Sequence, residues 1–338
     1  MNSKDVKYSR FALVNEMLET ADIIRNFDPS AARIFASSVS ARKKLFLTGE
    51  GSSRIFPACR TINACMKRGA GISVVTEGAT QAAEYDLKDF TVFAASNSGQ
   101  TKEVIRLVTR LKQEGHDAIF GLTANVNTKL ESVAAMTHIL SCGRENAVAA
   151  TKSVIEQGLF YDALLRAVTD LKMDGLDKLG DQVEEALTMP ADPTMTEIIS
   201  KAGIIYFAGR NNGVAEELAL KTNEITRKKS AYLEGTFAVH GIEEVMNPDE
   251  VLIWIDPFPE EEEKFSECLV KGVGMNIFSI SSGKTMFPGI RIPANDEYAE
   301  YIQLAAGWNI LVEAGLALGI DPDKPVRARK IGNEYLPG

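Results

Sequence analysis

Residues 90–101 of this 338-residue chain read FTVFAASNSGQT. Phe90–Ala95 is an apolar run with the length of a buried strand. Small hydroxyl and amide side chains follow it around one glycine, Gly99. Apolar residues then recur at helical spacing across Lys102–Gly115. The stretch therefore predicts a strand, a polar turn and a helix.

The predicted turn suits an anion. A helix N-terminus presents N–H groups without intrahelical partners, and the helix dipole favours negative charge there. Ser96, Ser98 and Thr101 add hydroxyl donors, Asn97 adds an amide, and no basic side chain lies within the turn. These features indicate a neutral cradle for a sugar phosphate rather than a triphosphate site. An ordinary helix cap, which also favours serine and threonine, is the alternative.

Composition limits the class of protein. Hydrophobic residues make up 45% and charged residues 25% of the chain, as in soluble globular proteins. The net charge of −9 argues against a nucleic-acid-binding surface. The four cysteines lack metal-site spacing and are too few for a disulfide scaffold, which favours a reducing compartment. Without a signal-peptide pattern or an apolar run of about 18 residues, we expect a cytoplasmic protein that does not span a membrane.

Strand and helix patterns alternate along the first half. The strand patterns are Lys44–Thr48, Gly71–Thr76, Phe90–Ala95, Ala118–Leu122 and Thr137–Ser141. Helical patterns separate them, two more precede them within residues 8–42, and a long helix is expected near 151–171. This alternation predicts a parallel sheet covered by helices on both faces.

The second half repeats the first. The pattern of residues 44–49 recurs at 204–209, and Asp256 follows an apolar strand as Ser96 does, both at an offset of 160 residues. Two strands that keep one offset indicate a duplicated α/β domain, with chance similarity as the alternative. The copies differ, because Asp256 and the glutamates of 260–263 would repel a phosphate. Only the first copy is therefore expected to bind one.

Glycine and proline among charged residues place the domain boundary between the two halves. The predicted domains are residues 1–172, with two N-terminal helices, and residues 201–338. Residues 173–200 are predicted as a linker that contains one helix, near 179–187.

Two loop motifs resemble the SIS (sugar isomerase) domain family. Gly51-Ser52-Ser53 resembles the family's glycine-threonine-serine loop after its first strand, and residues 96–101 resemble its Ser-Gln-Ser-Gly-Glu-Thr turn. From about residue 40 onward, the chain is similar to the isomerase module of glucosamine-6-phosphate synthase and to related sugar-phosphate isomerases, deaminases and deglycases. The resemblance implies two tandem doubly wound SIS domains, flavodoxin-like and with three α/β/α layers. It also implies phosphate binding by Gly51, Ser52, Ser53, Ser96, Asn97, Ser98 and Thr101.

A third motif lies near the end of the first predicted domain. Residues 145–152 read ENAVAATK, against the family's Glu-x-x-Val-Ala-Ser-Thr-Lys. The backbone of that segment contacts the sugar in relatives, so the resemblance implies that Val148 and Ala150 bind substrate. Ala150 replaces a serine, so any contact from that hydroxyl is lost, whereas alanine still allows a backbone contact.

The fourth motif carries the predicted chemistry. Glu217, Lys221 and Glu224 fall on one face of a predicted helix. Spacing alone is more typical of an exposed, salt-bridged face. Relatives place Glu-x-x-x-Lys-x-x-Glu at the reacting sugar. The resemblance therefore implies that Glu224 is the base that moves a proton between C1 and C2, while Glu217 and Lys221 orient it and bind substrate hydroxyls.

Two further residues match positions of the synthase module. His240 lies sixteen residues after Glu224, where relatives use a histidine from the neighbouring subunit to open the sugar ring. This implies a homodimer with shared active sites, although Val239 and Ile242 replace the family's lysine and proline. Lys330 matches a tail lysine that forms an imine or stabilises the enediol oxygen. His116 and His138 match no family position and are expected to be structural.

These features together predict a sugar-phosphate isomerase or deaminase with no metal or organic cofactor. The expected substrate is an amino-sugar 6-phosphate of the glucosamine type, from which ammonia is released through an enediol or enolamine. Asn2 stands where a glutaminase would have its cysteine, so we expect a glutamine-independent enzyme without nucleic-acid or membrane partners. A fructosamine-6-phosphate deglycase, a plain isomerase and a non-catalytic sugar-phosphate-binding regulator are the alternatives.

Overall fold

The computed structural model describes residues 1–327 together with Glu334 and Tyr335. Its strands are β1 (Lys44–Gly49), β2 (Ser73–Gly78), β3 (Thr91–Ala95), β4 (Ile119–Thr123), β5 (Met136–Ile139), β6 (Ile204–Gly209), β7 (Lys229–Glu234), β8 (Val251–Ile255), β9 (Asn276–Ser281) and β10 (Gly289–Arg291). Its α-helices are α1 (Val6–Ser9), α2 (Ala12–Arg25), α3 (Arg33–Arg42), α4 (Ile55–Arg68), α5 (Ala79–Ala82), α6 (Lys102–Gln113), α7 (Lys129–Val133), α8 (Lys152–Val168), α9 (Leu176–Thr188), α10 (Pro193–Lys201), α11 (Val214–Ile225), α12 (Glu262–Phe265) and α13 (Ala299–Ala317). A π-helical segment, Ser266–Val273, continues α12.

The first five strands form one sheet in the order β2-β1-β3-β4-β5, with every pairing parallel. Alternate side chains of β3 point to opposite faces of this sheet. On one face Phe93 packs against Phe35 of α3 and Phe160 of α8, with ring centroids 5.3 and 5.6 Å apart. On the other face Val92 and Ala94 join a core that includes the apolar side of α6. The first sheet is therefore doubly wound, as predicted.

The second sheet has the order β10-β9-β8-β6-β7, again with parallel pairing throughout. Read from its other edge, this is the order of the first sheet, with β6 in the place of β1 and β8 in the place of β3. Trp254 of β8 is fully buried and stacks on Phe265 with ring centroids 3.7 Å apart. Both sheets thus show the flavodoxin-like strand order.

The described chain divides into two compact units whose boundaries differ from the predicted domains. The first-sheet unit comprises Asp22–Glu145, Ala150–Asp177 and the C-terminal residues Arg327, Glu334 and Tyr335. The second-sheet unit comprises Met1–Ala21, Asn146–Ala149 and Lys178–Val326. The N-terminal residues, predicted with the first domain over 1–172, therefore belong with the second sheet. So does most of the predicted linker over 173–200, which holds two helices, α9 and α10.

Contacts across the sequence explain this assignment of the N-terminus. The N–H groups of Ala12 and Leu13 donate to the carboxylate of Asp323 at 2.7 and 2.9 Å, so a residue 310 positions away caps α2. Lys7 donates to Glu313 of α13 at 2.8 Å. The pattern of apolar residues within α2 carries no information about partners so distant in sequence.

Helix α13 forms the buried centre of the second-sheet unit. Most of its residues are buried, and Gly307 allows α11 to approach closely, because a Cβ there would lie 2.4 Å from the side chain of Leu218. Among residues 1–327, 334 and 335, α13 included, no helix combines the length and the apolar character that a bilayer crossing requires.

Candidate active site

The carboxyl ends of β1 and β3 meet at the switch point of the first sheet. From here the chain crosses from β1 to β2 on one side and from β3 to β4 on the other, which leaves a crevice suited to ligands. Residues 51–53 follow β1 and residues 96–101 follow β3, so both predicted phosphate loops lie at this crevice. Gly49 keeps the backbones close, since a Cβ there would lie 3.0 Å from the carbonyl oxygens of Ala95 and Ser53.

Hydrogen bonds between its own residues shape the turn after β3. The hydroxyls of Ser96 and Thr101 lie 2.7 Å apart, and the Thr101 N–H donates to Ser96 Oγ at 3.3 Å. The Gln100 N–H donates to Ser98 Oγ at 3.2 Å. Gly99 has φ +65°, and a Cβ there would lie 2.4 Å from Thr128, so only glycine fits. The hydroxyls are held in a fixed, compact arrangement.

The turn leads directly into the N-terminus of α6. Thr101 is the N-cap residue, and its side chain makes no capping hydrogen bond to the helix. The ordinary-cap alternative therefore does not account for this threonine, whose hydroxyl pairs with Ser96 instead. N–H groups of the first helical turn remain suited to an anion, as the sequence predicts.

The side chain of Asn97 contacts a protein carboxylate in this structure, whereas the sequence predicts that it contacts a phosphate. Its side-chain amide donates to the buried carboxylate of Glu145. Its main-chain oxygen accepts bonds from Thr123 Oγ1 and Asn125 Nδ2, at 3.0 and 2.8 Å. Asn97 thus anchors the turn to the protein, and contact of its side chain with a phosphate stays a prediction.

The loop after β1 contains the other predicted phosphate ligands. Gly51–Ser53 forms a 3-10 turn that begins with φ +54° at Gly51, a conformation that favours glycine. Ser52 is buried and Ser53 is half-buried. This loop and the turn after β3 are the parts of the switch point that can surround a small anion.

Two buried glutamates hold the segment that contains Val148 and Ala150. Within the second-sheet unit, Glu16 of α2 accepts the N–H of Ala147 at 3.3 Å. Within the first-sheet unit, Glu145 accepts the N–H of Thr151 at 2.6 Å. Val148 and Ala150 are half-buried in a stretch without regular secondary structure, and their contact with a substrate stays a prediction. Sequence reasoning missed Glu16, because its burial depends on a partner 131 residues away.

The structure brings Glu217, Lys221 and Glu224 together on α11. Lys221 Nζ lies 2.8 Å from Glu224 Oε2 and 3.3 Å from Glu217 Oε1. The side chains of Glu217 and Lys221 are 0% exposed, and that of Glu224 is 26% exposed. Burial lowers the pKa of Lys221, but Glu224 and then Glu217 outweigh it, so the net pKa is raised. The exposed, salt-bridged face that spacing alone allowed is therefore wrong.

His240 does not belong to the α11 cluster of Glu217, Lys221 and Glu224. It is exposed after the 3-10 turn Phe237–Val239, and its Nε2 lies 3.3 Å from Lys264 Nζ. Within the described part of the chain, no hydrogen bond or ion pair links it to Glu217, Lys221 or Glu224. Its predicted role in ring opening stays a prediction.

The other two histidines pack inside the first-sheet unit. His116 Nε2 lies 3.0 Å from the carbonyl oxygen of Leu87, and His138 stacks on Phe160 with ring centroids 4.7 Å apart. Burial lowers the pKa of His138. Both arrangements are structural, as expected.

Lys330 lies outside the described residues. Two residues that follow it are described, and they lie on the turn after β3. Glu334 forms an antiparallel bridge with Thr101, and the Tyr335 N–H donates to Gln100 O at 2.7 Å. Sequence reasoning missed this pairing, because the tail shows no pattern typical of a strand.

The switch point of the second sheet is built differently. Asp256, which follows β8, has φ +47°, and its carboxylate accepts a bond from Arg210 Nε at 2.6 Å. The Arg210 guanidinium also lies 4.2 Å from the ring centroid of Phe258. An acidic side chain therefore stands at the position that Ser96 has in the first sheet.

Comparison with known proteins identifies a domain family in the first half of the chain. Residues 38–167 match the family model of the SIS domain. They include β1–β5, both loops of the switch point and nearly all of α8. The match identifies a SIS domain in residues 38–167, which confirms the resemblance carried by the loop motifs there.

A curated protein is also similar to much of this chain. The chain is 27% identical over 252 residues to the isomerizing glutamine–fructose-6-phosphate aminotransferase of Sulfolobus acidocaldarius, covering 70% of this chain but 41% of that relative. It thus spans less than half of that relative's length.

Two solved structures share the fold over both sheets. The tagatose-6-phosphate ketose/aldose isomerase of Escherichia coli has a TM-score of 0.78 and 16% identity, covering 97% of this chain and 99% of that one. The glucosamine-6-phosphate deaminase of Thermotoga maritima has a TM-score of 0.73 and 19% identity, covering 96% and 98%. The prediction of two SIS-like α/β domains is confirmed.

Proposed function

We propose that this chain is an enzyme that interconverts aldose and ketose forms of an amino-sugar 6-phosphate and releases ammonia. The observation that carries the proposal is the cluster on α11. A buried ammonium stands between two carboxylates, and only Glu224 among the three is partly exposed to solvent. A merely structural ion pair gains little from such burial, because desolvation offsets the attraction. Buried titratable groups beside a partly exposed carboxylate are typical of acid–base centres.

The phosphate is assigned to the switch point of the first sheet. Ser96, Ser98 and Thr101 supply hydroxyls beside the N-terminus of α6, and Gly51–Ser53 faces them from the next strand. The equivalent loop of the second sheet carries Asp256, which repels an anion. These contrasts support a single phosphate site.

The proton transfer is assigned to Glu224. Its carboxylate removes the C2 proton of the open-chain aldose, which gives an enolamine with a hydroxyl at C1 and the amine at C2. Return of the proton at C1 leaves an imine at C2, and water hydrolyses this imine to a ketose 6-phosphate and ammonia. Charge that develops at the C1 oxygen needs a nearby cation. Lys221 is protonated at neutral pH because its pKa is raised, and Lys330 is the second candidate.

The proposal also covers the location of the protein and the pairing of its subunits. We propose that the chain acts in the cytoplasm as a homodimer and that His240 assists ring opening in the active site of the partner subunit. His240 is exposed, as a residue that reaches a partner subunit has to be.

The first prediction tests the base. Glucosamine 6-phosphate is incubated with the protein, and ammonia and fructose 6-phosphate are measured, together with exchange of solvent deuterium into the sugar. Glu224→Gln is expected to lower kcat by at least about 100-fold, since general-base catalysis contributes this much, while sugar-phosphate affinity changes little.

Glu216→Gln is the matched control, because Glu216 lies on the same helix and is not one of the three residues to which the chemistry is assigned. It is expected to keep wild-type kcat. Equal activity of Glu224→Gln and wild type would remove Glu224 from the mechanism.

A deglycase is the second candidate. Val239 and Ile242 replace a lysine and a proline of the synthase module near His240, which indicates a different group on the sugar. Release of lysine from fructoselysine 6-phosphate, with no ammonia from glucosamine 6-phosphate, would favour it. Tight binding of both compounds without turnover would indicate a regulator instead.

A further inference from the structure

Glu145 is a buried carboxylate that joins two segments of the first-sheet unit. It is 1% exposed. One oxygen accepts bonds from Asn97 Nδ2 and, at 2.7 Å, from Ser153 Oγ. The other accepts from the N–H of Thr151 at 2.6 Å and from Thr151 Oγ1 at 3.3 Å. The turn after β3 and the start of α8 therefore meet on one side chain.

Burial of a carboxylate is costly unless donors replace its water. Here the donors that replace water come from the turn after β3 and from the start of α8. Because both segments bind Glu145, each holds the other in place. A buried charge with several donors is also intolerant of change, because removal of one acceptor leaves a buried donor without a partner. The position of the turn is thus coupled to the position of α8.

The coupling reaches the predicted phosphate ligands through Asn97. Its side chain is held by Glu145, and its main-chain oxygen by Thr123 and Asn125. Asn97 lies between Ser96 and Ser98, whose hydroxyls belong to the proposed cradle. Because both the side chain and the main-chain oxygen of Asn97 are held, the hydroxyls of Ser96 and Ser98 beside it are held as well.

We propose that Glu145 is a positioning residue for the sugar phosphate, which holds the Ser96–Thr101 turn in its anion-binding form through Asn97. This role rests on the proposed function, because it takes the ligand of the turn to be the phosphate of a sugar. Glu145 itself touches no substrate in this role.

Glu156 of α8 provides a matched control. It is also buried, and it accepts the N–H groups of Ser141 and Cys142 and the Ser141 hydroxyl, at 2.7 to 2.8 Å. It belongs to the same unit and supports a loop in the same manner. Its partners follow β5, however, and none belongs to the phosphate turn.

The test compares Glu145→Gln with Glu156→Gln in the full chain. Each replacement keeps size but turns one acceptor oxygen into a donor, which then faces a donor. Binding of fructose 6-phosphate and of inorganic phosphate is measured by calorimetry, and hydrogen exchange of residues 96–101 by mass spectrometry. Glu145→Gln is expected to weaken both ligands by at least about tenfold, raise KM more than it lowers kcat, and speed exchange in the turn.

Glu156→Gln is expected to lower the melting temperature similarly and to leave affinity and exchange in the turn near wild type. A double-mutant cycle with Asn97→Ala is expected to be non-additive, because both changes break the same link. Additive losses, equal affinity for Glu145→Gln and wild type, or equal weakening by Glu156→Gln would each overturn the proposal. A wild type that binds fructose 6-phosphate without converting amino-sugar phosphates would overturn the proposed function alone, and the binding and exchange contrasts would still decide the role of Glu145.

Discussion

Lys221 is a buried cation whose charge depends on its neighbours. Burial lowers the pKa of its ammonium group, but Glu224 and then Glu217 reverse this effect, so the pKa is raised above its ordinary value. A group with a raised pKa in the folded state contributes stability that is complete below the unfolded-state pKa, near 10.5, and is lost above it. The contribution of Lys221 is therefore constant through neutral pH and fades only in strong alkali.

Removal of this cation is expected to destabilise the fold. Lys221→Met leaves Glu217 fully buried without its ammonium partner, which costs about 3–5 kcal/mol in comparable buried pairs. Urea denaturation measures the free energy of unfolding directly. Glu217→Gln in the same chain is expected to restore part of the loss, since the uncompensated charge is then absent.

A surface pair of the same spacing gives the comparison for Lys221. Lys201 pairs with Glu197 four residues earlier, with both side chains more than half exposed. Lys201→Met is expected to change the free energy of unfolding by less than about 1 kcal/mol. A similarly small change for Lys221→Met would show that Glu217 and Glu224 do not need the cation.

At the scale of elements, the turn between β3 and α6 depends on one backbone conformation. Gly99 has φ +65°, and a Cβ would meet Thr128 at 2.4 Å. Thr128 has little room to move, because it caps α7 in a capping box with Glu131. The conformation of the turn at Gly99 and the position of Thr128 at the start of α7 therefore depend on each other.

Gly99→Ala is expected to disturb the phosphate cradle. The left-handed backbone costs about 1–2 kcal/mol for an L-residue, and the collision with Thr128 adds to it. Gly115 is a control with φ +81° and open space around its Cβ position, so Gly115→Ala carries only the backbone cost.

Calorimetric titration with fructose 6-phosphate separates the two glycine variants. Affinity is expected to fall by at least about tenfold for Gly99→Ala and to stay near wild type for Gly115→Ala. Equal affinities in both variants would show that the turn does not bind the phosphate.

Local patterns predicted the elements well, because strands and helices follow from short-range periodicity. The helix predicted over Lys102–Gly115 is α6, Lys102–Gln113, and the strand predicted over Phe90–Ala95 is β3, Thr91–Ala95. The phosphate loops could also be located, since a parallel sheet brings strand ends to one edge. The bonds that fix those loops could not, because burial of a glutamate such as Glu145 depends on donors far away in sequence.

At the scale of the whole molecule, one strand order serves two different switch points. Both sheets have parallel strands in the same order, but the first presents hydroxyls and a helix N-terminus, and the second closes an ion pair between Arg210 and Asp256. A shared fold therefore carries no function by itself, and the side chains at each switch point decide what can bind. The α11 cluster belongs to the second-sheet unit, so the proposed base and the proposed phosphate site lie on different copies of the fold.

The proposed homodimer makes a prediction about mixed subunits. Glu224→Gln removes the base from one chain, and His240→Ala removes the ring-opening group that the partner is proposed to receive. Each variant alone is expected to be nearly inactive in both active sites. In a dimer of one subunit of each kind, one site loses both residues and the other keeps both, so activity returns there.

Subunits mixed in equal amounts and allowed to exchange are expected to regain about a quarter of wild-type kcat, since half of the dimers are mixed and each has one intact site. Ammonia release from glucosamine 6-phosphate measures this recovery. A mixture of Glu224→Gln with Lys221→Met is the control, because both changes lie on one α11 helix and every site then carries one of them. No recovery in the first mixture would show that His240 and Glu224 of one chain serve the same site. Recovery in the control would show that the regained activity does not come from sites shared between subunits.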